Sequence, residues 1–345
     1  MNILLTSNRF FPDIGGIETI SDLLARYFVS AGHSVRVVTQ TPSGDVQGQE
    51  AWAFPVIRRP SPRELLACFR WADIVFQNNV EVRMLWPLVL CRRPLLIGLQ
   101  TWIRSPHGRR SRVHRLKKLS LDLADQVIAC SEAIRRDSCS RACVIGNPYN
   151  SDLFRIVSGV SRSRSIVFLG RLVSDKGVDL LLRALALFPR PRPLLTIIGS
   201  GPEEATLQLL VQELQMTDTV TFLGPLRGET LVYELNAHEV MVVPSLWEEP
   251  FGVVALEGLA CGCVVLASDG GGLPDAVGPA GLLFRRGDRV DLHRQLSRLL
   301  SDPSLRARLR ACSVRHLPQF HQDVVSQRYL AAMEELFHGR QMVSP

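Results

Sequence analysis

Val240-Met-Val-Val-Pro-Ser-Leu-Trp-Glu-Glu-Pro-Phe-Gly-Val-Val-Ala-Leu-Glu-Gly-Leu-Ala-Cys-Gly262 holds a strand, a turn and a helix in direct succession. Val240–Pro244 is β-branched and apolar, as a strand covered on both faces of a parallel sheet is. Pro250 suits the first turn of the following helix, where its missing N–H leaves no bond unmade. Glu249 therefore stands at the strand-to-helix turn. Glu257, eight positions on, falls in the second turn of a helix whose other residues, Val253, Val254, Ala255, Leu256, Leu259 and Ala260, are apolar. A carboxylate in that setting is partly buried and needs hydrogen-bond donors. Between the two acids, the amides of Phe251, Gly252 and Val253 lie at the helix start, where they suit an anion or a hydroxyl. A plainer reading makes Glu248 and Glu249 partners of the helix dipole. It accounts for Glu248, but not for the whole arrangement.

Outward from this unit, short β-rich runs alternate with amphipathic helical ones almost end to end, which predicts an α/β chain with parallel sheets and crossover helices. A first series places strands near Asn2–Ser7, Ser34–Gln40, Asp73–Gln77, Pro94–Gln100, Gln126–Cys130 and Ala142–Ile145, with a helix near Ile17–Ala31 closed by Gly32. A second places them near Ser165–Gly170, Leu194–Gly199, Val220–Leu223, Val240–Pro244, Cys263–Ala267 and Gly281–Phe284. The polar stretch from Ser158 to Ser165 reads as the linker between two Rossmann-like domains, a number that 345 residues accommodate. Helical segments close the chain, the last near Asp323–His338. Ligands of such folds sit at the carboxyl ends of the strands, which predicts a cleft between the domains as the site.

Two glycine-bearing turns follow first strands. Gly15-Gly16, between a strand and a helix, lets backbone amides approach an anion, although a tight turn without a ligand explains it equally well. In the second series, Gly170-Arg-Leu-Val-Ser-Asp-Lys-Gly177 carries Arg171 and Lys176 on one loop. The chain has three lysines against 37 arginines, and Lys176 is the only lysine after Lys118. Two cations on a loop of this kind suit a diphosphate, Arg by its planar fork and Lys as a point charge; a solvated loop is the alternative. No G-x-G-x-x-G occurs in either turn, which argues against a dinucleotide enzyme.

Composition narrows the class. The chain is 46% hydrophobic and 21% charged, as folded globular proteins are. The amino terminus has no apolar run of signal-peptide length, and Arg92-Arg93 and Glu257 interrupt the longest apolar stretches, so neither secretion nor a membrane span is expected. Eight cysteines without zinc spacing predict reduced thiols, a cytoplasmic location and no metal site. The net charge of +7 divides into +8 over residues 1–160 and −1 over the rest. Its densest part, Arg104–Lys118, carries seven cations and no acid. Val113, Leu116 and Leu119 recur at spacings of three within and just after it. A basic amphipathic segment of this kind fits an anionic membrane surface, and equally a solvated helix face. No nucleic-acid motif accompanies it.

Glu249-Pro-Phe-Gly-Val-Val-Ala-Leu-Glu257, followed by Ala260-Cys-Gly-Cys-Val-Val and Asp269-Gly-Gly-Gly-Leu-Pro-Asp-Ala-Val277, resembles the E-x7-E region of the retaining glycosyltransferases of family 4. Ser131-Glu132, Asn147-Pro148, Gly170-Arg171, Lys176-Gly177 and Gly199-Ser-Gly-Pro202 follow the family's order. The resemblance implies a GT-B fold: two Rossmann-like domains facing a central cleft, an acceptor-binding domain over 1–160, a nucleotide-sugar donor-binding domain over 161–320, and a terminal helix over 321–345 crossing back to the first. By the same resemblance Glu257 holds the nucleotide ribose, Arg171 and Lys176 the diphosphate, and Glu249 the transferred sugar. The amides of Phe251, Gly252 and Val253 assist, Gly16 caps the diphosphate, and Leu226 lies beside the base. A family histidine near the reacting centre is replaced by Gln100, which hydrogen-bonds a sugar but carries no proton. The implied partners are a nucleotide-diphosphate sugar as co-substrate and a saccharide or lipid-linked acceptor. No cofactor or metal is implied, since there is no D-x-D triplet, and the enzyme would lie in the cytoplasm, peripheral to the inner membrane face if the basic run binds lipid. A nucleotide-sugar epimerase of the same fold and a non-catalytic sugar-nucleotide-binding subunit are the competing readings.

Overall fold

In the computed structural model, which describes residues 1–13, 15–42, 52–103 and 112–341, the chain divides into two units: Met1–Asn147 together with the chain from Gln322 onward, and Pro148–His321.

The first unit is built on seven strands: β1 (Asn2–Ser7), β2 (Ser34–Thr39), β3 (Val56–Arg58), β4 (Ile74–Asn78), β5 (Leu95–Leu99), β6 (Gln126–Ala129) and β7 (Cys143–Val144). They lie in the order β3-β2-β1-β4-β5-β6-β7 and every pairing is parallel. In β1, Asn2 stands opposite Ser34 on one side and Ile3 opposite Ile74 on the other. The sequence pattern places six of these strands and misses β3. Three residues between Pro55 and Pro60 are too short a run to show a period, and β3 lies at the sheet edge, where prolines are tolerated.

The helix Gly16–Ser30 buries Ile20, Leu24, Ala25 and Phe28 against Ile3, Leu5 and Phe76. The last helix, Gln322–Gln341, adds Val325, Tyr329, Leu330 and Met333 to the same core, with the Tyr329 ring 5.5 Å from that of Phe76. Burying each such side chain contributes roughly 1.5–3 kcal/mol. The terminal helix thus returns to the amino-terminal unit.

The second unit is built on β8 (Arg164–Leu169), β9 (Leu195–Ile198), β10 (Val220–Gly224), β11 (His238–Val243), β12 (Val264–Ser268) and β13 (Gly281–Phe284). All are parallel, in the order β10-β9-β8-β11-β12-β13. Chain order along this sheet reverses between β8 and β11, as in a Rossmann sheet. Ile166, Phe168, Ile197 and Val242 meet Leu181, Leu182 and Leu185 of the helix Val178–Leu185 in its core.

The domain limits need correction. They fall at Asn147/Pro148 and His321/Gln322, not at 160/161 and 320/321. Residues 148–163 are clamped to the second unit by polar bonds that a polar stretch hides from sequence reading. Tyr149 pairs with His321 in a parallel bridge, and its N–H donates to the Phe320 carbonyl at 3.3 Å. The Asn236 amide accepts from Val157 N–H and donates to the Arg155 carbonyl, both at 2.9 Å. Arg162 donates to the carbonyls of His238 at 3.1 Å and Cys261 at 2.6 Å.

Candidate active site

The crossover from β8 turns to one side of the second sheet and that from β11 to the other, so the loops leaving their carboxyl ends flank a crevice. The first of these loops carries Arg171 and Lys176, the second Glu248, Glu249 and the start of the helix Val253–Ala260.

Backbone bonds lock the two loops together. Leu246 N–H and Trp247 N–H donate to the Asp175 carbonyl at 2.8 and 3.1 Å. Gly177 makes the approach possible: at φ 67°, a Cβ there would lie 2.2 Å from the Pro244 carbonyl oxygen. Lys176 Nζ consequently reaches Glu249 Oε1 at 2.5 Å, and Ser245 Oγ donates to the same oxygen at 2.9 Å. The Glu249 side chain is only 15% exposed and that of Lys176 23%, so the pair is shielded from bulk water. Arg171, by contrast, is exposed and makes no ion pair among the described residues. The predicted diphosphate cations thus differ: Arg171 is free, whereas Lys176 is bonded to the predicted sugar-binding acid. Glu248 forms a separate pair with Arg286 at 3.0 Å.

Phe251 is 2% exposed, its ring 5.5 Å from that of Phe320, so only its backbone is open to a ligand. Gly252 caps the helix at φ 105°, a conformation a side chain disfavours, and a Cβ there would lie 2.5 Å from Leu273 Cδ2. The amides of Phe251, Gly252 and Val253 donate to no group among the described residues. The half-buried side chain of Glu257 projects from the second turn with no hydrogen bond or ion pair among the described residues. Burial lifts its carboxyl from 4.5 to about 7. Leu226 sits half-buried in the loop between β10 and the helix Gly228–Asn236, at the same carboxyl edge of the sheet.

Of the ten predicted site residues, these eight belong to the second unit, while Gly16 and Gln100 belong to the first. Gly16 opens the helix after β1, and a Cβ placed on it would meet nothing within 4 Å, so local packing does not demand a glycine. Gln100 follows β5 and is 5% exposed; its Nε2 donates to Tyr329 Oη at 3.2 Å, and its Oε1 is buried without a partner among the described residues. Sequence reading missed Ser245 and Tyr329. Ser245 is marked only by standing four residues before Glu249, and nothing in the sequence links Tyr329 to a residue 229 positions away.

The basic run Arg104–Lys118 lies outside the described residues as far as position 111; its remainder begins the helix Arg112–Leu123. Among the described residues no group of three or more His, Cys, Asp or Glu side chains gathers in a way that would hold a metal ion, and no helix is long and apolar enough to cross a membrane.

Two parallel Rossmann-like sheets, the second with a loop-borne cation, an acid pair and free helix amides at its switch point, define the GT-B class of glycosyltransferase folds. Solved structures agree in fold: sucrose-phosphate synthase from Thermosynechococcus elongatus (TM-score 0.80, 24% identity, 98% of this chain and 99% of that one) and Anabaena HepE in complex with UDP (0.83, 20%, 97% and 100%). Residues 14–152 match the model for Glycosyltransferase Family 4 and residues 152–313 that for Glycosyl transferases group 1. The chain belongs to glycosyltransferase family 4. Relatives include the D-inositol 3-phosphate glycosyltransferase of Stackebrandtia nassauensis, 34% identical over 64% of this chain and 58% of that protein. The gpi3 subunit of the Schizosaccharomyces pombe phosphatidylinositol N-acetylglucosaminyltransferase is 28% identical over 86% and 72%. The matches span about half the length of the first of these relatives.

Proposed function

We propose that this chain is a retaining glycosyltransferase that moves a sugar from a nucleotide-diphosphate donor to a hydroxyl of a saccharide or lipid-linked acceptor, in the cytoplasm and without a metal. The observation that carries the reading is the Glu257 carboxylate: half-buried, its charge disfavoured by desolvation, without a partner among the described residues, and on the helix that follows the turn bearing Glu249 and three amides that donate to no described group. A buried acid without donors is unfavourable unless a ligand supplies them. The paired hydroxyls of a ribose do so. The second unit then binds the donor, with Leu226 beside the base, and the first takes the acceptor.

Arg171, Lys176 and the amides of Phe251, Gly252 and Val253 provide the positive field a departing diphosphate needs. Gly16 caps that phosphate and Gln100 hydrogen-bonds the sugar; the unpartnered Gln100 Oε1 supports this role. Retention follows from attack on the face the nucleotide leaves, with the leaving phosphate taking the acceptor's proton, so Glu249 orients the sugar and supports charge without forming a bond to it. The UDP in HepE makes uridine diphosphate sugars the first donors to try. The test is donor hydrolysis with UDP-, GDP- and ADP-sugars in the presence of EDTA. Turnover of one class, with the anomeric configuration kept in the product, is the expected result. Dependence on added metal, an epimerised free donor, or donor binding without turnover across an acceptor panel overturns the proposal.

A further inference from the structure

We propose that Tyr329, on the last helix, is a positioning residue for Gln100: its hydroxyl takes the Nε2 end of the buried amide and leaves Oε1 as a hydrogen-bond acceptor for a hydroxyl of the sugar. The inference rests on the reading of Gln100 as a sugar contact and adds what that reading lacks, a reason for the amide to point one way. A glutamine amide turns on three side-chain bonds and its two ends have nearly the same shape, so burial alone does not choose between donor and acceptor. Here one bond chooses. Gln100 is almost wholly buried, and its Nε2 donates to Tyr329 Oη at 3.2 Å while Oε1 has no partner among the described residues.

Tyr329 is suited to hold that amide. Its ring is 1% exposed and lies 5.5 Å from the Phe76 ring, and Val325, Leu330 and Met333 of the same helix pack into the same core. A tyrosine has only two side-chain torsions that place its ring, so fixing the ring fixes the hydroxyl oxygen. Burial raises the phenol above its ordinary 10, and it stays a neutral hydroxyl. Folding does not require the pair. The core around Tyr329 is apolar, with Ile3, Leu5 and Phe76 among its members, and Tyr329→Phe together with Gln100→Leu would fill similar space with no polar group to desolvate. The wild type instead buries a hydroxyl and an amide that bond to each other and leave one acceptor over. A ligand hydroxyl completes that acceptor.

The experiment compares Tyr329→Phe, Gln100→Leu and the double variant in three measurements: thermal unfolding, hydrolysis of the nucleotide-sugar that the wild type turns over fastest among UDP-, GDP- and ADP-sugars, and affinity for the nucleoside diphosphate of that donor. Each single change strands one buried polar group and lowers the unfolding temperature by about 2–6 °C. The double variant strands neither and returns to the wild-type temperature. Turnover behaves otherwise. All three variants are about ten- to a hundred-fold slower at saturating donor, and the double variant is no slower than Gln100→Leu. Affinity for the nucleoside diphosphate, which carries no sugar, stays within about twofold of the wild type. Three results overturn the proposal: wild-type turnover in Tyr329→Phe, losses that multiply in the double variant, or turnover that recovers in the double variant together with its stability. Wild-type turnover tests the transferase reading and the differences among variants test this inference, so the two failures are distinct.

Discussion

Glu257 gives the sharpest test because two measurable quantities depend on its charge. Its carboxyl titrates at about 7 in the fold against 4.5 ordinarily, and desolvation is the cause. The folded value lies above the unfolded one, so folding favours the protonated acid. The penalty is absent below pH 4.5, grows as pH rises, and is complete above about 7. At about 1.4 kcal/mol per pH unit, that interval is worth about 3 kcal/mol. Glu257→Gln removes it. The variant should therefore unfold at a higher temperature than the wild type at about pH 8, by about 6–12 °C for a unit of this size, and at nearly the same temperature at about pH 4.5. Donor binding has the opposite sense. If ribose hydroxyls bind the ionised carboxylate as proposed, UDP binding releases a proton and wild-type affinity falls by up to tenfold for each pH unit below about 7. Glu257→Gln loses that dependence and binds UDP about ten- to a hundred-fold more weakly at about pH 8. Thermal unfolding and calorimetric titration with UDP across this range read both effects. Coincident unfolding of the two proteins at high pH, or wild-type affinity that is flat with pH, refutes the reasoning.

Two further perturbations address the crevice. Lys176→Met and Glu249→Gln should each destabilise the ligand-free chain by about 1–3 kcal/mol, and the double variant by less than their sum, because each single change leaves its partner partly buried and unpaired; additive losses in denaturant unfolding would show that the pair does not couple. Gly177→Ala forces a Cβ against the Pro244 carbonyl at φ 67° and should cost about 1–2 kcal/mol while weakening donor binding about tenfold or more, so wild-type stability and UDP affinity would contradict the lock between the two loops.

Strands buried on both faces write continuous apolar runs into a sequence, and helices that cover them write a 3.6-residue stripe; that is why the runs near Asn2–Ser7 and Val240–Pro244 placed β1 and β11 closely. The same logic fails for β3, which is short and flanked by prolines, and for residues 148–163, whose attachment depends on Asn236, His238 and Cys261 far along the chain. In the candidate site, local geometry was partly legible: the apolar run after Gly252 places Glu257 in the second turn of a helix, but that helix starts at Val253 with Gly252 as its cap, so Pro250 stands before it and not in its first turn. Long-range geometry was not. Nothing in the spacing of Lys176 and Glu249 tells that they bond to each other, because the contact is made by two loops whose closeness depends on β8 and β11 being neighbours. Tyr329 is a stronger case, since its bond to Gln100 requires the last helix to join the first unit's core.

The Lys176–Glu249 contact changes how the empty site should be understood. A cation and a carboxylate held in a shielded crevice without each other would both be desolvated charges, and the two loops that carry them would relax toward water. Paired, they cancel, and Ser245 fixes the shared oxygen, so the acid is already oriented before any ligand arrives. A nucleotide-sugar carries both complements: a diphosphate to take the ammonium and hydroxyls to take the carboxylate. On the proposed reading, its arrival would exchange one ion pair for two sets of bonds. Among the described residues Glu257 has no such internal substitute. Desolvation disfavours its charge, so on the proposed reading the two glutamates, eight residues apart on one turn and helix, would wait for the donor in different ways: one neutralised by a partner, the other by a proton.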